Sequence, residues 1–290
     1  MQPKEIELFC KHLRFRNYSP NTVESYALDL KLFFAEISKS LKQITWREVD
    51  SFVEGQHEQG LAATTINRRL NAIKHFFDYL VSEMELLTNN PVKPSHHLRI
   101  GRPLPKKLSQ AEVKQLFSNI NNQMDRALFL LMLRCGLRVS EVAKLKVSDI
   151  DWEQQALLIN QGKGRKDRRL YLSPDVVISL KECLENRPSQ KTNDFLFWNQ
   201  KRKNQPLSIK AIQKKMERYA KAAEIKASCH SLRHTFASNL LEEGTEVISI
   251  KEFLGHGSVA SSERYARLSN LKIKQTYLQT IKKVINKTRV

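Results

Sequence analysis

Apolar residues return at three- and four-residue spacing along most of this chain, as expected of helices that bury one face. Ile6, Phe9, Cys10 and Leu13 form the first stripe, and Pro3 is placed to open its helix. Tyr18-Ser19-Pro20 interrupts it. Ser19 suits an N-cap and Pro20 a first helical turn, ahead of Val23, Tyr26, Leu30, Phe33 and Ile37. Thr45-Trp46-Arg47-Glu48 reads as a capping box in front of Val49, Phe52 and Val53. A fourth stripe, Ile66, Leu70, Ile73, Phe77 and Leu80, follows Thr64. The pattern predicts a small four-helix domain over residues 1–90.

The other face of the fourth helix carries Thr64, Asn67, Arg68, Asn71 and His75, again three and four apart. Such a polar ridge suits either solvent or a DNA major groove, where Asn and Arg reach base edges. The helical pattern then stops. Pro91, Pro94, Pro103 and Pro105, mixed with His96, His97, Arg99, Arg102, Lys106 and Lys107, predict an extended basic linker over 91–107.

Ser109-Gln110-Ala111-Glu112 is a further capping box, and the apolar run from Arg126 to Cys135 predicts a helix stopped by Gly136. Two strands follow, Ala156–Asn160 and Arg168–Leu172, joined by the glycine- and lysine-rich turn from Gln161 to Asp167. Helices are expected over Pro174–Asn186 and after Ser208, the latter carrying Lys210, Gln213, Lys214, Lys215 and Arg218. A short buried piece is expected at Asp194–Phe197 and a basic loop at Asn199–Gln205. The second domain spans 108–269 and an amphipathic, lysine-rich tail helix 270–290. The fold class is mainly α with a small β hairpin.

Charge narrows the choice of partner more than composition does. Forty-nine Lys and Arg against thirty Asp and Glu leave a formal net charge of +19, which calls for a polyanion. The longest apolar stretch, Ala127 to Leu133, is too short to span a bilayer, so nucleic acid is the expected partner and no membrane is. The four cysteines (Cys10, Cys135, Cys183, Cys229) form no C-x-x-C pair, and the chain enters helix pattern without a signal peptide. A reducing, cytoplasmic setting is expected.

Chemistry-bearing residues concentrate late. His230-Ser-Leu-Arg233-His234 and Leu254-Gly-His256 precede a phenol at Tyr265. Arg138 follows the helix-ending Gly136, where it could be a surface ion pair or a preorganised phosphate clamp. Lys163 lies between glycines in the hairpin turn. It could be an ordinary exposed lysine, but its neighbours Arg165, Lys166, Arg168 and Arg169 favour phosphate proximity. His230 and His234 have a spacing that could hold zinc. The glutamate of a zincin motif and a third ligand are missing, so no metal is expected. Tyr277 rivals Tyr265 by position, but Leu271, Leu278, Ile281 and Ile285 around it suggest packing.

In this order the set resembles the tyrosine recombinase (phage integrase) family, most closely its compact Xer-type and transposon-encoded members. Gly136–Glu141 matches the family's Gly-Leu-Arg-x-Ser-Glu motif, and Gly162-Lys163-Gly164 its hairpin lysine. His230–Ala237 matches His-x-x-Arg-His-Thr-Phe-Ala, Leu254–His256 matches Leu-Gly-His, and Tyr265 stands at the nucleophile position. Gly257 and Ser261-Ser262 depart from the usual residues at non-catalytic positions.

The resemblance implies an N-terminal SAM-like core-binding domain and an α+β catalytic domain. It implies site-specific strand exchange through a 3′-phosphotyrosyl intermediate and a Holliday junction, with no cofactor. Arg138, Lys163, His230, Arg233, His256 and Tyr265 are the expected catalytic set. Asn67, Arg68, Asn71, Arg165, Lys166, Lys210 and Lys214 are the expected DNA contacts. It implies duplex DNA with inverted core half-sites as substrate, and a bacterial, nucleoid-associated enzyme. Assembly would be a dimer on each core site and a tetramer in synapsis, or a pairing with a paralogue. The tail helix is expected either to pack on its own domain or to dock on a neighbouring protomer, as tails of the family do. Chromosome-dimer resolution, integration or excision, and cointegrate resolution all fit. A type IB topoisomerase or a non-catalytic regulator are the competing classes.

Binding to duplex DNA should weaken steeply as salt rises, because phosphate contacts release counterions. Fluorescence anisotropy over a NaCl series checks this, and an affinity flat in salt contradicts it.

Overall fold

In a computed structural model the chain divides into two compact units, Met1–Pro103 and Leu104–Val290. The structure describes residues 4–100, 107–159, 167–185, 187, 194–199, 205–255 and 266–288, with backbone alone for Val247, Lys251 and 266–274.

The first unit holds α1 (Glu5–Phe15), α2 (Pro20–Glu36), α3 (Trp46–Glu58) and α4 (Ala63–Ser82). Ser19 caps α2, its hydroxyl accepting from the Thr22 amide at 3.1 Å. Thr45 and Glu48 form the capping box of α3, the Thr45 amide donating to Glu48 at 2.7 Å. Helix α4 starts one residue before Thr64, after Ala62, which supplies no side-chain cap. Val23, Leu30, Phe33, Phe52, Ile66, Leu70, Ile73, Phe77 and Leu80 are buried, and Phe33 packs edge-on against Phe34, Phe52 and Phe77.

The segment after Asn90 does not run free as an extended strand. Val92 and His96 are buried, and residues Pro94–His96 make a 3-10 turn. Asn67 of α4 donates to the Leu98 carbonyl at 2.8 Å and accepts from its amide at 2.9 Å. His97 bonds Asn71 at 3.1 Å. A side-chain amide presents an N–H and a carbonyl side by side, so Asn67 pairs with that backbone as a neighbouring strand would. Proline excluded helix here but said nothing about docking.

The second unit is built around α6 (Gln123–Cys135), buried along most of its length. A helix apolar all round belongs inside a core. Before it comes α5 (Gln110–Ser118), with the Ser109–Glu112 capping box in place. After it come the one-turn α7 (Val139–Val142), then β1 (Ile150–Asp151), β2 (Ala156–Ile159) and β3 (Arg168–Tyr171). These form an antiparallel sheet of order β1-β2-β3, with Leu157 opposite Leu170. The expected hairpin is therefore joined by a short first strand that the alternation was too brief to reveal. Among the described residues the unit continues with α8 (Pro174–Glu185), α9 (Ile209–Ala222), α10 (Cys229–Glu242), α11 (Val247–Leu254) and α12 (Ala266–Lys287). Among the described residues no helix is long and apolar enough to cross a membrane.

The tail helix packs against its own unit. Tyr277, Ile281 and Val284 are in the core, and the Tyr277 hydroxyl donates to the Arg134 carbonyl at 3.2 Å. Tyr277 is 2% exposed and packed in the core, and that burial raises its pKa well above the usual phenol value. Arg134, 1% exposed, joins three elements: it donates to Asp175 of α8 at 2.8 Å, and to the Thr288 hydroxyl and carbonyl at 2.8 and 3.0 Å. Replacing Asp175 by Ala leaves that buried guanidinium without its counter-charge. The variant should lose about 3 kcal/mol of stability, read from urea unfolding, whereas a loss below about 1 kcal/mol would show the pair to be neutral.

Candidate active site

The site begins where α6 ends. Gly136 terminates that helix with φ +65°, a conformation an L side chain adopts only with strain. The space is also closed: a Cβ there would lie 2.4 Å from Cδ1 of Phe236 and 3.0 Å from Cδ2 of Leu254. Helices α10 and α11 thus press on the turn, and the next residues, Leu137 and Arg138, enter α7 directly.

Arg138 is the N-cap residue of α7. Its amide donates to Glu141 at 2.7 Å, and its guanidinium donates to Glu141 at 2.8 Å and to the Gly255 carbonyl at 3.1 Å. Arg233, 5% exposed on α10, donates to the Gly136 carbonyl and, at 2.6 Å, to that of Leu254; it lies 3.9 Å from Glu141. A third arginine completes the group. Arg168, first residue of β3, donates from both terminal nitrogens to the two Glu141 oxygens at 3.0 and 2.8 Å, and from Nε to the Phe253 carbonyl at 3.0 Å.

One carboxylate therefore meets three guanidiniums, and the carbonyls of Phe253, Leu254 and Gly255 each accept from a different one. Carbonyls at a helix C-terminus lack intrahelical partners and carry partial negative charge, so cations settle there. Burial opposes ionisation of Glu141, but the Arg168 charge and the bonds from Arg138 and Arg168 hold its carboxyl below the usual range. Arg233 is pushed down to about 10, by burial first and by Arg138 next, and so stays charged at neutral pH. Among the described residues three guanidiniums face one carboxylate in a largely desolvated place, electrostatics that favour an oxyanion.

His230 lies on the first turn of α10, exposed, one turn before Arg233. Its ring meets His234 edge-on at 4.3 Å between centroids. Burial, then the neighbouring His230 and Arg233, lower the His234 pKa. Both histidines line a cleft of about 620 Å³ with Lys221, Lys226, Ser228 and Ser231. Lys163, Arg165, Lys166, His256 and Tyr265 lie outside the described residues.

The structure also gives partners to several cations and amides of the expected DNA-facing surfaces. Arg168, at the base of the hairpin, is 9% exposed and bound to Glu141, because a guanidinium fork fits a carboxylate better than an open turn. Arg169 pairs with Asp151. On α9, Lys210 and Lys214 are exposed, but Lys215 turns inward to the buried Asp125 at 2.8 Å, which also accepts from the Tyr219 hydroxyl at 2.8 Å. On α4 the amides of Asn67 and Asn71 engage the following segment as described. Arg68 is held by Asp29 and, at 2.8 Å, by Ser25, with its side chain still 46% exposed. By sequence Arg134 has no role, and Arg168 stands only among the hairpin cations near phosphate. Neither falls in a motif, and only burial distinguishes them from surface arginines.

Residues 106–272 match the model of the phage integrase family, and residues 6–84 match that of the phage integrase N-terminal SAM-like domain. The chain belongs to the phage integrase family. Tyrosine recombinase XerA of Pyrococcus furiosus is 32% identical over 280 residues, 95% of this chain and 93% of that protein. Tyrosine recombinase XerC of Bacillus subtilis is 29% identical over 292 residues, 94% of each. The fold is that of the Tn1549 transposon integrase, solved in complex with circular intermediate DNA. That structure superposes with a TM-score of 0.73 at 20% identity, covering 91% of this chain and 98% of that one. This phage integrase family member is a tyrosine recombinase, an enzyme of site-specific DNA recombination by strand transfer.

Replacing Gly136 by Ala in the recombinase should cost about 3 kcal/mol, from the left-handed backbone and the collision with Phe236. The urea midpoint reads this, and wild-type stability would show that α10 yields freely.

Proposed function

We propose that Tyr265 is the nucleophile with which this recombinase cuts and rejoins DNA strands. Its phenolic oxygen bonds to the scissile phosphorus as the P–O5′ bond breaks, leaving a 3′-phosphotyrosyl link and a free 5′-hydroxyl. Lys163 gives the proton to the departing O5′, and His230 takes the one lost by the phenol. Arg138 and Arg233 bind the non-bridging oxygens and stabilise the charge added in the transition state, with His256 donating a further hydrogen bond. One phosphate ester replaces another of similar energy, so the 5′-hydroxyl of a second strand can reverse the step without ATP or a cofactor.

The observation that carries this reading is the meeting of Arg138 and Arg233 on Glu141 and on the carbonyls that end α11. His256 is the next residue in sequence after Gly255, and Tyr265 follows within the same segment.

Exposed Lys210 and Lys214 on α9 suit backbone phosphates, as Arg165 and Lys166 of the hairpin would. Arg68 reaches outward while anchored by Asp29; Asn67 and Asn71 would contact bases only by releasing Leu98 and His97. The substrate is duplex DNA with inverted half-sites, bound by a dimer on each core site and a tetramer in synapsis, or by a pair of paralogues. Strand exchange proceeds through a Holliday junction, in the cytoplasm and on the nucleoid. The biological task is resolution of chromosome dimers, or integration, excision or cointegrate resolution by a mobile element.

Duplexes that the protein selects from a random 30-bp library, nicked beside the cut to trap the adduct, supply the test. Tyr265→Phe should bind them within about twofold of wild type and form no covalent adduct. Arg138→Ala should form adduct about 10²-fold more slowly. An adduct with Tyr265→Phe would place the nucleophile elsewhere.

A further inference from the structure

Arg168 has no part in the chemistry proposed above, yet its guanidinium is the most fully engaged in the site. Nε faces the Phe253 carbonyl at 3.0 Å, near the end of α11 and three residues before His256 in sequence. The two terminal nitrogens close a fork on both Glu141 oxygens at 3.0 and 2.8 Å. Its own Cα sits at the start of β3, opposite Ile159, where the hairpin carrying Lys163 returns to the sheet. Glu141 in turn binds both the amide and the guanidinium of Arg138. One planar cation therefore ties together the hairpin base, the turn bearing Arg138 and the end of α11. At 9% exposure it cannot double as a surface contact to DNA.

We propose that Arg168 is a positioning residue for strand cleavage: it locks Glu141 and the end of α11 so that Arg138 and Arg233 grip one phosphate. The inference rests on the catalytic reading of Arg138, Arg233 and Tyr265. Its physical basis is the fork itself. Glu141 holds both the amide and the guanidinium of Arg138, so freedom of its carboxylate to rotate would carry Arg138 toward the phosphate or away from it. Two parallel bonds from Arg168 remove that freedom. The third bond stops the last turn of α11 from sliding against the sheet. Misplacement of a catalytic group by about 1 Å costs on the order of 10²-fold in rate, so a residue that never touches substrate can control the step. Lysine cannot replace it, since one ammonium on a flexible stem does not serve a carboxylate fork and a carbonyl at once.

The test uses the full-length protein and the nicked duplexes selected above, with either a phosphate or a methylphosphonate at the cut. The methylphosphonate lacks one anionic oxygen and so depends less on a correctly placed arginine pair. Arg168→Met should bind within about threefold of wild type but form adduct about 10²-fold more slowly on phosphate. Its deficit should shrink at least tenfold on methylphosphonate, as that of Arg138→Ala should. Arg168→Lys should fall between the two and carries the same comparison if the methionine variant does not fold. Wild-type adduct rates in a folded Arg168 variant would overturn the proposal. So would a deficit equal on both substrates, which would mark a merely structural arginine. An adduct formed by Tyr265→Phe, or full activity in Arg138→Ala, would instead sink the catalytic reading, so the two failures are distinguishable.

Discussion

The Glu141 carboxylate is the interaction on which the site depends. Three guanidiniums cannot be brought together out of water without a counter-charge, because each loses hydration and repels the others. Glu141 supplies that charge at distances of 2.8 Å to Arg138 and Arg168, and 3.9 Å to Arg233. Carbonyls at the ends of α6 and α11 supply the remaining acceptors. The site is therefore a junction of helix ends, and the net excess of positive charge it keeps is what a phosphodiester in transition would neutralise.

The same device recurs away from the site. Arg134 is buried against Asp175 and the Thr288 backbone, holding α6, α8 and the tail together. Asp125 is buried under α9 with Lys215 and the Tyr219 hydroxyl. Asp29 does this in the first unit with Arg68, and burial raises its pKa despite the opposing charge of Arg68. Apolar packing brings helices together but tolerates sliding. A charge that must find its partner on a neighbouring helix does not, since a mispaired buried ion costs several kcal/mol. A chain with a formal charge of +19 thus directs part of its positive charge onto buried carboxylates.

Helices with strong periodicity and good caps were legible residue by residue: Ser19, Thr45 and Ser109 cap where expected, and the α4 stripe is fully buried. The motif arginines Arg138 and Arg233 were legible through their surroundings. Less so was anything decided by contacts distant in sequence. The segment after Asn90 read as a free basic linker because its prolines and charges say nothing about Asn67, 31 residues from Leu98. Arg168 read as one of several hairpin cations, since its neighbours in sequence are cations while its partners lie 27 and 85 residues away.

By itself, then, the sequence determined that this is a two-part, mostly helical tyrosine recombinase, because periodicity, capping chemistry and short motifs are local properties. Only the tertiary structure decided which cations are turned inward. Lys215 and Lys214 are adjacent and chemically identical, yet one meets buried Asp125 and the other is exposed. Whether a guanidinium serves a carboxylate or a solvent-facing surface depends on which helix end arrives beside it, and that is fixed only when the core has packed.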